Sequence, residues 1–458
     1  MNKILVFALL GGMLCLPFID TTSDESTGYI VIAWNDLGMH CNGNDFSTIA
    51  ILPPANNLRA QVIKVGSESD DPEIITQGVR VTYEVPGNTY SAGKTNFWDF
   101  AERLYGTKLD DNIGLNGFGM SGDMVAEDNY FKADGIPITA FTDDDLDNEN
   151  PYQLALVKVF DLEGNLLAMS QPVIPVSGEI GCVSSGCHSS QQSILNHHED
   201  EDGFNPNDTP VMCGKCHESI SLPGAGNAEA KSLSYRIHKE HAEKTDNCYS
   251  CHPGHNAKCL RGVHSQNLSC QSCHGTLSEM ANSIRNGRIP WEEEPSCGQS
   301  GCHNSKYAPN HGKLFKDSKG HEGIYCNACH GSPHAILPSK ESNDNLQNIA
   351  LQGYIGVLRE CSVCHGITPD KNGPHGIAPV GIEEEEDRKL MLKPNPAYDI
   401  IKIDNSIPGE RILIVDLRGE ILDLKPIGNV NNTFDISNLS PGVYFVQVGN
   451  RTLKFVKK

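Results

Sequence analysis

Five short stretches share one pattern: CGKCH (213–217), CYSCH (248–252), CQSCH (270–274), CNACH (326–330) and CSVCH (361–365). Two more, CVSSGCH (182–188) and CGQSGCH (297–303), keep the Cys-His ending but place four residues between the cysteines. Together the seven motifs take fourteen of the chain's 17 cysteines. C-x-x-C-H is a spacing at which two thiols can reach the two vinyl groups on one side of a porphyrin, while the next histidine swings beneath the plane onto iron. A lone pentapeptide would compete with a zinc site or a redox dithiol. Seven in one chain point to covalently bound haem c, seven groups in all. The expected attachment points are Cys182, Cys187, Cys213, Cys216, Cys248, Cys251, Cys270, Cys273, Cys297, Cys302, Cys326, Cys329, Cys361 and Cys364. The expected proximal iron ligands are His188, His217, His252, His274, His303, His330 and His365.

Of the 18 histidines, eleven lie outside these motifs, and ten of the eleven fall between Cys182 and Gly376. They are His197, His198, His238, His241, His255, His264, His311, His321, His334 and His375; only His40 lies elsewhere. Surface histidines would scatter evenly, whereas a sixth ligand for each iron needs seven in this segment. These ten are therefore the distal candidates, with propionate contacts or plain surface positions as the competing use of any one. Chain reach limits the pairings. His255 follows His252 by three residues and spans at most about 11 Å, so the two cannot clasp opposite faces of one haem. His334, four residues past His330, is tightly constrained by the same argument. Both should serve a neighbouring haem, which forces haems together. Met212 and Met280 are weaker axial candidates, and methionine would raise the potential. An iron held by two histidines has no open position, so it carries electrons rather than binding substrate.

The elements that must position these groups divide the chain in three. Residues 28–176 carry strand-like stretches with turn signals: GYIVIAW (28–34), LRAQVIKV (58–65), GVRVTYEV (78–85), LALVKVFD (154–161) and LLAMSQPVIPV (166–176), with a hairpin turn at Glu163-Gly164-Asn165. An N-terminal β-sandwich is expected there. Residues 177–376 change character: apolar periodicity is scarce, Gly, Asn, Ser, Pro and His abound, and each motif has about 28 residues to itself, too few to bury a core unaided. The expectation is an irregular, α-poor multihaem c domain whose apolar interior is porphyrin. Residues 377–392 hold the EEEED run (383–387) and read as an acidic linker. From 393 to 458 the pattern returns to strands, a small C-terminal β-sandwich. The chain is thus read as multidomain. In the loop FTDDDLDNENP (141–151), Asp143, Asp145 and Asp147 alternate like calcium ligands, although the glycine and closing glutamate of an EF-hand loop are missing.

The first residues, MNKILVFALLGGMLCLPF, place Lys3 before an apolar run too short to span a bilayer, as in a secretory signal peptide over 1–20. Met13-Leu14 lack the small residues expected before a lipidated Cys15. No later run suits a membrane helix, so no transmembrane segment is expected. The net charge of −22 is concentrated before Cys182. That argues against nucleic acid and anionic membranes as partners.

Residues 182–376 resemble multihaem c-type cytochromes of bacterial respiration, in which a four-residue spacer between the cysteines is a known variant. The resemblance implies electron transfer beyond the inner membrane. The stretches PNPAYDIIKI (394–403), ILIVDLRGEIL (412–422), FDISNLSPGVYFVQV (434–448) and KFVKK (454–458) resemble the sorting domain of type IX secretion substrates. That implies handling by the type IX machinery and release or anchoring at the cell surface. WNDLGMHCNGNDFSTIAILPPANNLRAQVI (34–63) is similar to the start of an accessory domain of exported bacterial proteins, some of them multihaem cytochromes. Within it Met39, His40 and Cys41 offer soft or borderline metal ligands in a row, with copper binding or a haem contact weighed against a structural role. Cys41 and Cys259 remain outside the motifs, and a disulfide between them would join two domains. The reading that follows is a secreted heptahaem cytochrome passing electrons to other cytochromes, redox proteins or an extracellular acceptor. Its rival is a multihaem reductase of a small nitrogen or sulfur oxyanion with one open haem. A third reading is the subunit of a cytochrome filament.

Overall fold

The apolar run YIVIAW has no polar alternation because its strand, Tyr29–Asn35, is covered on both faces. Side chains of one parity, Val31 and Ala33, enter a core with Leu58, Ala60 and Val62 of the antiparallel neighbour Asn56–Lys64. Those of the other parity, Ile32 and Trp34, pack with Ile63 against Tyr325, Ala328 and Leu358 of the middle segment. One strand therefore belongs to two cores. The structure is a computed structural model that describes residues 28–458 apart from 179, 200, 202, 223, 227–229, 299–300, 304–307, 309–312, 371, 377–390, 405–410, 417–420, 427–432 and 449–450. The signal segment 1–20, most of the acidic linker and the candidate His311 lie outside the described residues.

The protein is strand-rich with few helices, and its sheets lie at both ends. In the N-terminal part, one sheet runs Tyr29–Asn35, Asn56–Lys64, Phe131–Ile136, Val125–Ala126, with Glu73–Ile75 beside Asn56–Lys64. A second runs Leu166–Ser170, Leu156–Phe160, Arg80–Glu84, Ser121–Asp123. Val81, Tyr83, Val157 and Val159 of the second meet the inner face of the first. The hairpin at Glu163-Gly164-Asn165 forms: the amide of Asn165 donates to Asp161 Oδ1 at 2.7 Å and Gly164 takes φ 91. The stretch 166–176 is not one strand. It breaks at Gln171-Pro172, where proline has no N–H to give a ladder, and its second half, Val173–Ser177, joins a different sheet with Tyr152–Leu154 and His40–Cys41. A helix at Phe97–Tyr105, absent from the sequence reading, buries Phe97, Ala101 and Leu104 at helical spacing.

The middle segment contains short helices joined by loops. Three are longer, Leu233–His241, Leu277–Arg285 and Ser342–Gln352; the others are shorter, several of them single turns at the cysteine motifs. At the C-terminal end, the sheets Met391–Lys393, Ile400–Asp404, Thr433–Asp435 and Ile421–Pro426, Arg411–Val415, Gly442–Val448, Arg451–Lys457 enclose Ile401, Ile403, Ile412, Ile414, Phe434, Val446 and Phe455. The first of these strands starts at Met391, inside the stretch read as linker.

The N-terminal part is locked to the middle segment. Arg261, 1% exposed, grips Asp344 bidentately, Nε to Oδ2 at 2.7 Å and Nη2 to Oδ1 at 2.8 Å, and its third arm donates to the Gly38 carbonyl. Ser332 Oγ donates to the Asn35 carbonyl at 2.7 Å, and the amide of Tyr325 donates to Gln61 Oε1 at 3.0 Å. Removing one half of such a buried pair strands the other charge. Asp344→Ala should lower stability by about 3–5 kcal/mol, whereas replacing Arg261 and Asp344 together by methionine and leucine should be far milder. Thermal unfolding of the two variants checks this.

Candidate cofactor cavity

Each cysteine motif closes on itself through one backbone bond. The histidine N–H donates to the carbonyl of the first cysteine: His217 to Cys213 at 2.9 Å, His252 to Cys248 at 2.9 Å and His365 to Cys361 at 3.0 Å. The two longer motifs make the same bond across two more residues, His188 to Cys182 and His303 to Cys297, both at 3.1 Å. The extra length is absorbed before the second cysteine, at Gly186 and Gly301, with φ 79 and 87, backbone that suits glycine alone. Both spacings thus present the first cysteine and the histidine in a common relation.

The histidine rings come in pairs. Ring centres lie 6.2 Å apart for His217 and His198, 6.3 Å for His252 and His238, and 6.3 Å for His274 and His334. They lie 6.3 Å apart for His303 and His264, 6.0 Å for His330 and His375, and 5.9 Å for His365 and His321. His188 faces two rings, His197 at 6.0 Å and His241 at 6.1 Å. A metal–imidazole nitrogen bond is about 2.0–2.1 Å and that nitrogen sits roughly 1.1 Å from its ring centre, so two imidazoles trans on one metal have centres about 6.2–6.4 Å apart. The observed separations, 5.9–6.3 Å, lie at or just below that range. His334 lies against His274 rather than beside His330. His255 is exposed on the turn after His252.

Several rings are held by one nitrogen, leaving the other to face the cavity. The Nδ1–H of His238 donates to the Ser234 carbonyl and that of His241 to the Ile237 carbonyl, each at 2.7 Å and each one turn back on helix Leu233–His241. His334 Nδ1 reaches the Leu37 carbonyl at 3.1 Å, and His217 Nδ1 the carbonyls of Ala230 and Lys231, both at 3.1 Å. Such bonds fix tautomer and ring orientation. His198 Nδ1 is buried with no hydrogen-bond partner among the described residues. Desolvation and neighbouring histidines push His252 and His330 down to about 4. Burial also pushes the thiols up, Cys213 and Cys329 to about 12, Cys326 and Cys364 to about 11.

All seven motifs line one continuous cavity of about 3920 Å³. That is about 560 Å³ per motif, within the range of roughly 300–1,000 Å³ usual for a ligand site. Among the described residues, no three His, Cys, Asp or Glu converge where a small cation could be held. Tetrahedral zinc needs four such ligands. Motif histidines each paired with a second ring at 5.9–6.3 Å, with motif cysteines lining the same cavity, instead suit a flat group that the cysteines would hold. The chain's residues therefore fit haem c.

Neighbouring motifs share short pieces of chain. Gly181 donates to the Cys251 carbonyl at 3.1 Å, and Leu358 to the Cys329 carbonyl at 2.9 Å. Gln271 Nε2 donates to the Asp246 carbonyl at 3.1 Å. His238 and His241, on one helix, face different motifs, as do the consecutive His197 and His198. Met212 is buried in an apolar cluster with Phe46, Phe97 and Leu104, and Met280 lies against Arg288.

The Met39-His40-Cys41 stretch is built into the cavity wall. Its backbone pairs with Val176–Ser177, Met39 is buried, and His40 Nε2 lies 2.9 Å from Asp36 Oδ1. No disulfide joins Cys41 to Cys259, against the expectation of a covalent tie between domains; burial pushes the Cys259 thiol up to about 11. The Arg261 fork, two residues on, fastens the same two segments without it. In the acidic loop, Asp143 accepts from Lys94 Nζ at 2.6 Å and from Thr89, while Asp145 accepts from the amides of Asp147 and Asn148.

Residues 392–458 match the secretion system C-terminal sorting domain. Comparisons with curated proteins and with solved structures find no match. The sorting tail marks proteins that the type IX secretion machinery exports to the cell surface or outside. Among the described residues no helix is long and apolar enough to cross a membrane.

Two outcomes follow. Deleting residues 392–458 should leave the protein in the periplasm, read by immunoblotting cell fractions and medium. Burial pushes the Asp36 carboxyl up, but hydrogen bonds from His40 and Asn57, with the charge of Arg59, outweigh it and hold it at about 2. The folded value lies below the ordinary 3.8, so the ionised form stabilises the fold above about pH 4, and that contribution fades as pH falls through 2. Asp36→Asn should cost about 2 kcal/mol at pH 7 and flatten the dependence of stability on pH between 4 and 2, followed by unfolding at a series of pH values.

Proposed function

We propose that the protein is an exported seven-haem c-type cytochrome that conducts electrons at or beyond the outer membrane, to other cytochromes, redox proteins or an extracellular acceptor. The observation that carries this reading is the pairing of every motif histidine with a second ring at 5.9–6.3 Å. Each haem, when bound, supplies one-electron exchange between ferric and ferrous iron. The cysteines hold it covalently. Two imidazoles would hold its iron from either side, leaving no position for substrate. The Nδ1 bonds to Leu37, Ser234, Ile237, Ala230 and Lys231 carbonyls fix the rings and make them more basic ligands, which favours the ferric state.

The shared segments support a train of haems rather than isolated centres. The His197-His198 dipeptide ties motif 182–188 to motif 213–217. Helix Leu233–His241, whose His241 and His238 face His188 and His252, ties the first of these to motif 248–252. The bond from Gln271 to Asp246 leads on to motif 270–274, and Glu294, 3.6 Å from His274, leads to motif 297–303. Motifs 326–330 and 361–365 are joined by Leu358 and exchange His321 and His375. The two-sheet units at the ends are read as β-sandwiches, the first supporting the train and the second serving export.

The purified oxidised protein should contain seven haems per chain, all low-spin by low-temperature EPR, and be unchanged by nitrite or hydroxylamine. A high-spin haem that shifts on adding either would replace the conduit by a reductase.

A further inference from the structure

The His188 site is offered two partners where one trans position exists. His241 and His197 lie 6.1 and 6.0 Å from it, ring centre to ring centre, at 69° and 76° to its plane. The two approach from different elements. His241 is the last residue of helix Leu233–His241, with its Nδ1–H bonded to the Ile237 carbonyl at 2.7 Å. His197 caps the C-terminal end of helix Gln191–Asn196; its backbone N–H is bonded to the Ile194 and Leu195 carbonyls, and its ring is exposed. No hydrogen bond to the His197 ring is formed among the described residues, so this ring is held by its backbone alone.

We propose that the haem of motif 182–188 has two alternative distal ligands, His241 in the resting form and His197 as an exchange partner, an inference that rests on the cytochrome reading above. In the exchange, one neutral imidazole nitrogen leaves the iron and another takes its place. No proton, electron or net charge moves. The two states differ in ligand quality. His241, bonded to a carbonyl, is the more basic donor and gives the lower potential; His197, without such a bond and open to water, gives the higher one. His197 is also chained to His198, the partner ring of His217 at 6.2 Å. An exchange at one haem therefore pulls on the ligand of the next. The sequence signal was the surplus of distal candidates over irons. Only the fold shows that part of the surplus converges on one motif.

The test compares H241A, H197A, the double variant and H321A, each with haem counted per chain and spin state read by low-temperature EPR. Both single variants should keep seven low-spin haems, with one signal altered in H241A and that haem's potential raised in a spectroelectrochemical titration. The double variant should show one high-spin haem in seven that binds cyanide. A high-spin haem in H241A alone, or in H197A alone, overturns the proposal, because a single histidine then serves the site. H321A separates this from failure of the underlying reading: with His365 deprived of its partner, one haem must turn high-spin, and if all seven stay low-spin the paired-histidine assignment itself is wrong. If H241A is not recovered with seven haems, H241Q carries the same readout.

Discussion

The gap between paired imidazoles, close to 6 Å at every motif, is the constraint on which the middle of this protein depends. Rings packed directly reach the same distance elsewhere in the protein, as Phe97 and Tyr105 do at 5.9 Å. What stands out is its repetition at all seven motif histidines, across loops of different length and helices of different orientation, with interplanar angles from 19° to 76°. A flat group between the rings, as proposed above, would meet the requirement, and cysteines of all seven motifs line the same cavity. Burial in the segment has to be understood in the same way. Its fully buried apolar side chains are few, while one cavity runs through all seven motifs.

The chemistry was legible because it is written in covalent spacing. The Cys-His dipeptides, the longer spacers and the glycine just before the second cysteine of each longer motif stand in the sequence, and the shared N–H to carbonyl closure follows from them locally. The distal partners were legible only as a set. Which ring meets which depends on tertiary placement: His334 finds His274 because the Leu37 carbonyl, almost three hundred residues earlier, holds its Nδ1. The pair on helix Leu233–His241 carried a weak signal, since His238 and His241 each bond to a carbonyl four residues back and a helix assigned there would have exposed both. The sheets were readable where the pattern was long, as in Tyr29–Asn35. They were not where proline divided one apolar run between two sheets at Pro172. The helix Phe97–Tyr105 escaped because the turn signals around it favoured strands and loops.

The N-terminal part reads differently once the contacts are in view. Acidic composition and similarity to an accessory domain suggested a separate module. Yet its first strand lends one face to the middle segment, its Asn35–Gly38 loop accepts hydrogen bonds from Ser332, His334 and Arg261, and Asp36 and Met39 line the cavity. The buried Asp36 is tied to His40 and Asn57, which fixes the loop whose next carbonyl orients a proposed ligand. An unpaired carboxylate at that depth would carry a desolvation cost of several kcal/mol, so these partners are part of how the loop keeps its shape.

This dependence runs in both directions. A segment with few apolar side chains cannot organise seven sites from within, because each short loop orders its residues at an entropic cost of about 1–2 kcal/mol apiece. Covalent attachment of a large flat group, as proposed, would offset part of that cost, and a neighbouring sheet offsets another part by presenting fixed carbonyls and an apolar face. Where the sheet reaches, at His334 and Cys364, the wall is built from two segments: Leu37 bonds to His334, and Gly66 bonds to the Cys364 carbonyl at 2.9 Å. Around His188 the facing rings sit at the ends of local helices, one of which is tied to the N-terminal part by the Ile49 amide, which donates to Gln191 Oε1 at 3.3 Å. The N-terminal part thus reaches the first motifs as well, through Val211–Met212 paired with Ile49–Ala50, and what sets the His188 site apart is that two rings, not one, face its histidine.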